Sequence, residues 1–278
     1  MENNFNTPAQ VFEANMKAGE GKVQLPLLKC ILLGLMAGAF IAFGGATSSA
    51  AIHNISNQGV AKALAGAIFP VGLMMIVFVG GELFTGDCLM LAGVVDKRFS
   101  ALQLIKTLII VWLSNMAGAI LIATLVYYSG LLDYTSGALG AFTIKVAYEK
   151  CTITPFKAIC SGILCNILVC IAVLMATAAR DIAGKVWAIF FPICAFVVGG
   201  WEHCVANMFY IPAGIIAATN DTYVAKAEEL YGITAAQISA SVNVGGFISN
   251  LIPVTIGNIL GGMVFVALPL YVIHKKKA

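Results

Sequence analysis

Residues 30–51, 63–81, 107–132 and 158–179 of this chain contain no Asp, Glu, Lys or Arg. Each run is close to the ~20 residues that a helix needs to cross a hydrocarbon layer. A fifth run, 186–220, is interrupted only by Glu202 and His203, and a sixth covers roughly 247–273. Lipid offers no partner to backbone N–H and C=O groups, so runs of this length must pair them internally as helices. The expected fold is therefore all-α: a polytopic membrane protein with six transmembrane helices. Charged residues make up 10% of the chain and mean hydropathy is +0.94, whereas a soluble domain carries about 25% charged residues.

The charges that remain are unevenly placed. Lys17, Lys22 and Lys29 precede the first run, Lys97, Arg98 and Lys106 separate the second from the third, Arg180 and Lys185 separate the fourth from the fifth, and Lys275, Lys276 and Lys277 follow the sixth. Eleven of the sixteen basic residues thus fall on one side of the membrane. The positive-inside rule makes that side, with both termini, cytoplasmic. The lead VFEANMKAGEGK is amphipathic and shows no small-residue cleavage site, so no signal peptide is expected. A net charge of +3 gives no reason to expect nucleic acid. Seven of the eight cysteines lie in or beside the apolar runs without any CxxC spacing, which reads as small buried hydrophobes rather than a metal or disulfide framework. No metal or cofactor is expected.

The order of the runs hides a repeat. LKCILLGLMAG (28–38) and FKAICSGILCN (156–166) each place Gly five residues after Lys. Asn115 and Gly118 match Asn258 and Gly261, and GGELFTGD (80–87) matches GGWEHCVAN (199–207) in a Gly-Gly pair before Glu, with an acid or amide five residues later. Three matches in one order suggest a duplication of 27–132 as 156–273. With three spans per half, the second half enters the membrane inverted, as in many transport folds. Spans 2 and 5 are too long for one pass and are expected to break at their glycines. Irregular backbone at membrane depth must line a cavity or be buried in protein, so paired breaks point to a translocation site near the midplane. Gly34/Gly38 and Gly257/Gly261 are candidates for close helix or subunit contact.

GGELFTGD, the 155–172 stretch containing ILCNILVCIA, and GWEHCVANMF together resemble the formate–nitrite transporter family, and within it the bacterial hydrosulfide channels most. The similarity runs from NTPAQVFEANMKAGEGK to span 6. It implies a homopentamer of six-helix, aquaporin-like protomers in a bacterial cell membrane, each protomer with its own pore, so that 1–278 forms a single transmembrane pore domain with 1–26 as its cytoplasmic amphipathic segment. The aquaporin signature Asn-Pro-Ala is absent, so a water channel is not implied.

An ionisable side chain at membrane depth is costly and is by default a functional candidate. His203, at the second break, is the first, against the alternative of a core imidazole hydrogen-bonded for packing. The imidazole can stay neutral or take a proton. Thr85, at the first break, can donate to an anion or accept from His203, and the resemblance pairs the two across the pore. The matching lysine of the family is Lys150, whose charge would concentrate anions, unless it is a solvated loop residue. The resemblance also places Phe69 and Phe196 as an outer constriction, with Leu73, Leu83, Phe84 and Val169 lining the rest; apolar rings gate by dewetting. Glu202 and Asn207 are expected to satisfy broken-helix backbone or to orient His203, Asn166 to bond the re-entrant part of span 2, and Asp87 to cap or pair at the cytoplasmic end. The expected function is a channel or transporter for a small monovalent weak-acid anion, with hydrosulfide ahead of formate and nitrite. An aquaporin-like facilitator of small neutral solutes is the alternative. A membrane enzyme is not expected, although Cys204 beside His203 makes one thiol worth testing.

Overall fold

The computed structural model describes residues 5–275; Lys276 and Lys277 lie outside them. Among the described residues the fold is helical apart from an isolated bridge between Phe5 and Ala179. Six helical spans are long and apolar enough to cross a membrane: Leu27–Ile52, Gln58–Val79, Ala101–Tyr128, Pro155–Ala178, Ile182–Gly199 and Val244–His274. Ahead of them lies α1 (Pro8–Val23), and the spans begin with α2 (Leu27–Ile52). The second span is α3 (Gln58–Ile68) and α4 (Val71–Val79), jointed at Pro70, followed after a gap by the short α5 (Phe84–Asp87) and α6 (Leu91–Val95). Then come α7 (Ala101–Tyr128), α8 (Ala138–Cys151), α9 (Pro155–Ala178), α10 (Ile182–Gly199) and α11 (Cys204–Ala217). Two polar helices, α12 (Asp221–Tyr231) and α13 (Ala235–Ser241), lead to α14 (Val244–Gly262), which passes through a π-helical turn at Met263–Ala267 into α15 (Leu268–His274).

Glycines set the closest helix contacts. A Cβ at Gly38 would strike the Asn115 backbone and one at Gly118 the Leu35 carbonyl, which locks α2 onto α7. A Cβ at Gly257 would strike the Ile159 carbonyl and one at Gly261 the Ile163 carbonyl, which locks α14 onto α9 in the same way. The small-residue pairs of the sequence therefore serve contacts inside the chain. The opposite faces stay apolar and open: Ile105, Ile109, Leu113, Leu121 and Leu125 of α7 recur at helical spacing and are all exposed. Such a stripe suits lipid or a second copy of the chain.

Helices α8, α12 and α13 fill sequence between the spans that hydropathy alone leaves as loop. They build a second small core from Leu139, Ile144, Ala147, Tyr223 and Ile238, and Tyr223 donates to Asp133 at 2.5 Å. On the other side of the fold, α1 buries Phe12 and Met16 against Leu89, Ala92 and Tyr271. Its start carries a Thr7–Gln10 capping box with Pro8 in the first turn, as helix initiation favours. Arg98 clips it down through Glu13 (2.8 Å) and Glu20 (3.0 Å). Five cysteines are buried, Cys151 and Cys194 are half-buried, and Cys160 is exposed.

Candidate functional site

The second and fifth spans are each interrupted where their glycines stand. Helix α4 stops at Val79, Gly80 takes φ +106°, and α5 begins at Phe84. Helix α10 stops at Gly199, Gly200 takes φ +68°, and α11 begins at Cys204. A positive φ is the backbone state that glycine enters without a Cβ penalty. The residues just before the resumed helices are extended and nearly superposable: Leu83 at φ −112°, ψ 118° and His203 at φ −114°, ψ 116°.

Such breaks orphan backbone groups, and an asparagine from a neighbouring helix meets the need at each one. Asn115 Oδ1 accepts from Phe84 N (3.0 Å), while its Nδ2 donates to Gly34 O (2.7 Å) and Glu82 O (2.9 Å). Asn258 Oδ1 accepts from Cys204 N (2.8 Å), while its Nδ2 donates to Gly162 O (2.8 Å) and Glu202 O (3.0 Å). The two sets correspond bond for bond. A third amide, Asn166, donates to Thr85 O (3.1 Å) and Asn258 O (2.7 Å) and so ties the two breaks together.

At the junction His203 meets Thr85, Nε2 to Oγ1, at 2.9 Å, with both residues buried. The partner of the other ring nitrogen fixes the tautomer: Nδ1 accepts the backbone N–H of Ala206 at 3.0 Å, as the N-cap of α11. A neutral imidazole that accepts at Nδ1 carries its hydrogen on Nε2. His203 therefore donates to Thr85, and the hydroxyl hydrogen of Thr85 is left for another acceptor. A second proton on the ring would set two N–H groups against each other, so this geometry holds the imidazole neutral.

The apolar candidates surround this pair. Phe69 and Phe196 meet edge to face at 5.5 Å between centroids, and Phe196 stacks on His203 at 6.0 Å. Leu73, Leu83, Phe84 and Val169 are buried in the same core cluster. On the α8 side a cavity of about 690 Å³ reaches Phe69, Phe196 and His203, with Lys62, Lys145 and Lys150 among its lining residues.

Lys150 sits in the last turn of α8 rather than in a loop. Its Nζ pairs with Glu202 Oε1 at 2.9 Å and lies 5.4 Å from the Tyr210 ring centre. Glu202 Oε2 accepts from Asn207 (2.6 Å) and Asn250 (3.4 Å). The side chains of Glu202 and Asn207 thus neither serve the broken backbone nor orient His203; Glu202 holds Lys150, Asn207 braces Glu202, and Asn258 serves the backbone instead. Lys22, at the end of α1, does the same at the first break, with Asp87 (2.5 Å) and Glu82 (2.7 Å). Lys22 stands twelve residues before Gly34 and Lys150 twelve before Gly162, so that spacing could have revealed Lys22 as a partner of the site. Asn250 and Tyr210 had no comparable signal.

A model of the formate/nitrite transporter family matches residues 9–272. The chain belongs to the formate/nitrite transporter family. It is 40% identical over 285 residues, 96% of each chain, to a probable formate transporter of Methanothermobacter thermautotrophicus. It is 33% identical to the formate channel FocA of Escherichia coli K12, across 97% of this chain and 95% of that one. Among solved structures, a pentameric formate channel with formate bound superposes with a TM-score of 0.78 at 32% identity, covering 90% of this chain and 98% of the other. An ion channel of the family superposes with a TM-score of 0.80 at 27% identity, covering 95% and 98%. Anion-channel function and an all-helical membrane fold follow from this membership.

Proposed function

We propose that this protein is a channel for small monovalent weak-acid anions and that Thr85 and His203 form its central contact. The observation that carries the reading is the 2.9 Å bond between them with the opposite imidazole nitrogen committed to Ala206. It turns the Thr85 hydroxyl into a free donor between apolar walls. A monovalent anion arrives through the α8-side cavity, sheds water at Phe69 and Phe196, takes the Thr85 hydrogen bond and leaves past Leu83, Phe84, Leu73 and Val169. Formate stands first among permeants, because relatives at 33–40% identity carry it in their names. Hydrosulfide, suggested by the motifs, stands second, with nitrite beside it.

The same reading includes five copies around an axis, as in the similar pentameric structure, and two halves inverted in the membrane. The side bearing α1 and both termini is cytoplasmic by its excess of lysine and arginine, in a bacterial cell membrane. No catalytic step is assigned to any residue.

The pairing of Lys150 with Glu202 keeps one rival reading in view, because a neutralised lysine suits an uncharged solute as well. Flux into liposomes of formate, nitrite, hydrosulfide, sulfate and an uncharged molecule of similar size, at two pH values, separates the two. The expected result is passage of the monovalent anions, no passage of sulfate, and strong loss of anion flux in Thr85→Val. Equal passage of the uncharged molecule in wild type, with Thr85→Val unaffected, overturns the proposal.

A further inference from the structure

The two matched ion-pair sites differ in what stands beside the first carboxylate. On the α8 side Lys150 faces one carboxylate, Glu202, whose second oxygen is held by the amides of Asn207 and Asn250. On the α1 side Lys22 faces two, Glu82 and Asp87. Asp87 follows Glu82 by five residues, as Asn207 follows Glu202, so an acid replaces the amide.

One ammonium balances one carboxylate. Glu82 and Asp87 are nevertheless both buried, at 8% and 1% exposure, and both lie against the same ammonium. Asp87 Oδ2 is a buried oxygen without a hydrogen-bond partner, and Glu82 Oε2 meets the Lys22 ammonium at 2.7 Å. The orphan on the α8 side is the uncharged amide oxygen of Asn207. Two adjacent acceptors with one cation between them lack a donor, and an unbalanced buried charge is removed by neutralising a group.

We propose that Glu82 and Asp87 bind one proton between them, which makes the α1-side mouth of the pore a proton site that the Lys150 side does not share. The proton bonds one carboxyl to the orphaned oxygen of the other. With it, Lys22, Glu82 and Asp87 sum to zero, as Lys150 and Glu202 do; without it the mouth carries one negative charge and repels anions. The other titratable groups facing the pair are the thiols of Cys30 on α2, Cys88 beside Asp87 and Cys170 on α9; His203 acts instead on Thr85 of α5. Helix α7 faces it with the neutral amide of Asn115.

The effect on flux rests on the anion-channel reading above, whereas the proton site does not. Infrared difference spectra of the full-length protein, between acid and alkaline pH, should show a protonated carboxyl band that disappears in both Asp87→Asn and Glu82→Gln. Formate current across a planar bilayer is then recorded with only the α1-side pH varied, above about pH 6, where a carboxylic acid stays ionised. Raising that pH should lower wild-type current about five- to tenfold, the size expected for one charge near the path. Asp87→Asn should be insensitive to it, and Asn207→Asp should install the same sensitivity on the opposite side. Absence of the carboxyl band in wild type, or its persistence in both variants, overturns the proton site. Unchanged α1-side sensitivity in a pentameric Asp87→Asn, or in its absence no new sensitivity in Asn207→Asp, overturns its control of flux. A carboxyl band with no formate current in any variant instead counts against the anion-channel reading.

Discussion

Lys150 can act on an anion directly, or only by cancelling Glu202, and the two roles give opposite results in a double variant. The perturbation is Lys150→Met, then Lys150→Met with Glu202→Gln. In the wild type the Lys150 side chain is 16% and the Glu202 side chain 8% exposed, and the pair closes at 2.9 Å. Removing one partner of a buried pair costs about 3–5 kcal/mol. The low end applies here, because Asn207 and Asn250 still hold the carboxylate. The stranded charge also repels an anion: two unit charges on the order of 10 Å apart, at an effective dielectric of about 20, interact by ~1.7 kcal/mol, roughly fifteenfold in occupancy. The single variant should therefore lose stability and at least that factor in formate flux. If Lys150 acts by cancelling Glu202, the double variant restores neutrality and should return to within about threefold of wild type, because residues in contact are strongly non-additive. Formate entry into liposomes, beside an uncharged solute of similar size and a thermal melt of the purified protein, reads all three quantities. A double variant that melts normally yet conducts no better than the single one refutes the cancellation argument and leaves Lys150 as a direct anion contact.

Asn115→Leu and Asn258→Leu each strip one backbone N–H and two carbonyls of their partner, at about 1–3 kcal/mol for each unsatisfied group; both should lower the melting temperature by similar amounts, and one silent variant would break the equivalence of the two breaks. His203→Asn can still cap α11 but cannot reach Thr85, so formate flux should fall while its dependence on α8-side pH keeps the wild-type form; an altered form would show that the imidazole titrates. Leu83→Ala should raise formate flux before it admits sulfate, measured in the same liposomes, and ready sulfate passage in wild type would remove the dewetting argument. Arg98 hydrogen-bonds to Glu13 and holds its carboxyl below the ordinary value of 4.5. That contribution to α1 docking is present above 4.5 and lost as pH falls below it, so hydrogen exchange in α1 should speed up in acid for wild type and show no such step in Arg98→Ala.

The spans were legible because lipid leaves a helix no alternative, and charge-free runs of span length have one reading. The breaks were legible for a related reason: a Gly-Gly pair followed by an acid inside such a run has no place in a straight helix. The repeat motif singled out Asn115 and Asn258, but not their task, since their partners lie from 31 to 96 residues away and one sequence carries no record of those contacts. Helix α8 was missed because Lys145, Glu149 and Lys150 give it the polarity of a loop, while its apolar face packs on α11 and α12 rather than on lipid. The misreading of Glu202 has the same origin. Standing beside His203 in sequence, it points in space toward a lysine 52 positions earlier.

On the proposed reading, the breaks also explain why a single hydroxyl can set the chemistry of the passage. Both amide hydrogens of Asn115, Asn166, Asn207, Asn250 and Asn258 are committed, to backbone carbonyls at the breaks and in neighbouring helices or to the group around Glu202. The N–H groups that open α5 and α11, at Phe84 and Cys204, are bound by Asn115 and Asn258. His203 uses one nitrogen to cap α11 and the other to hold Thr85. Of these side-chain groups, this leaves the Thr85 hydroxyl hydrogen open to a guest. One neutral hydrogen bond is worth about 0.5–1.5 kcal/mol net, far below what a dianion loses with its hydration shell. Selectivity on the proposed reading therefore comes less from what the passage offers an anion than from how little it offers, so an anion with modest hydration crosses and a strongly hydrated one does not.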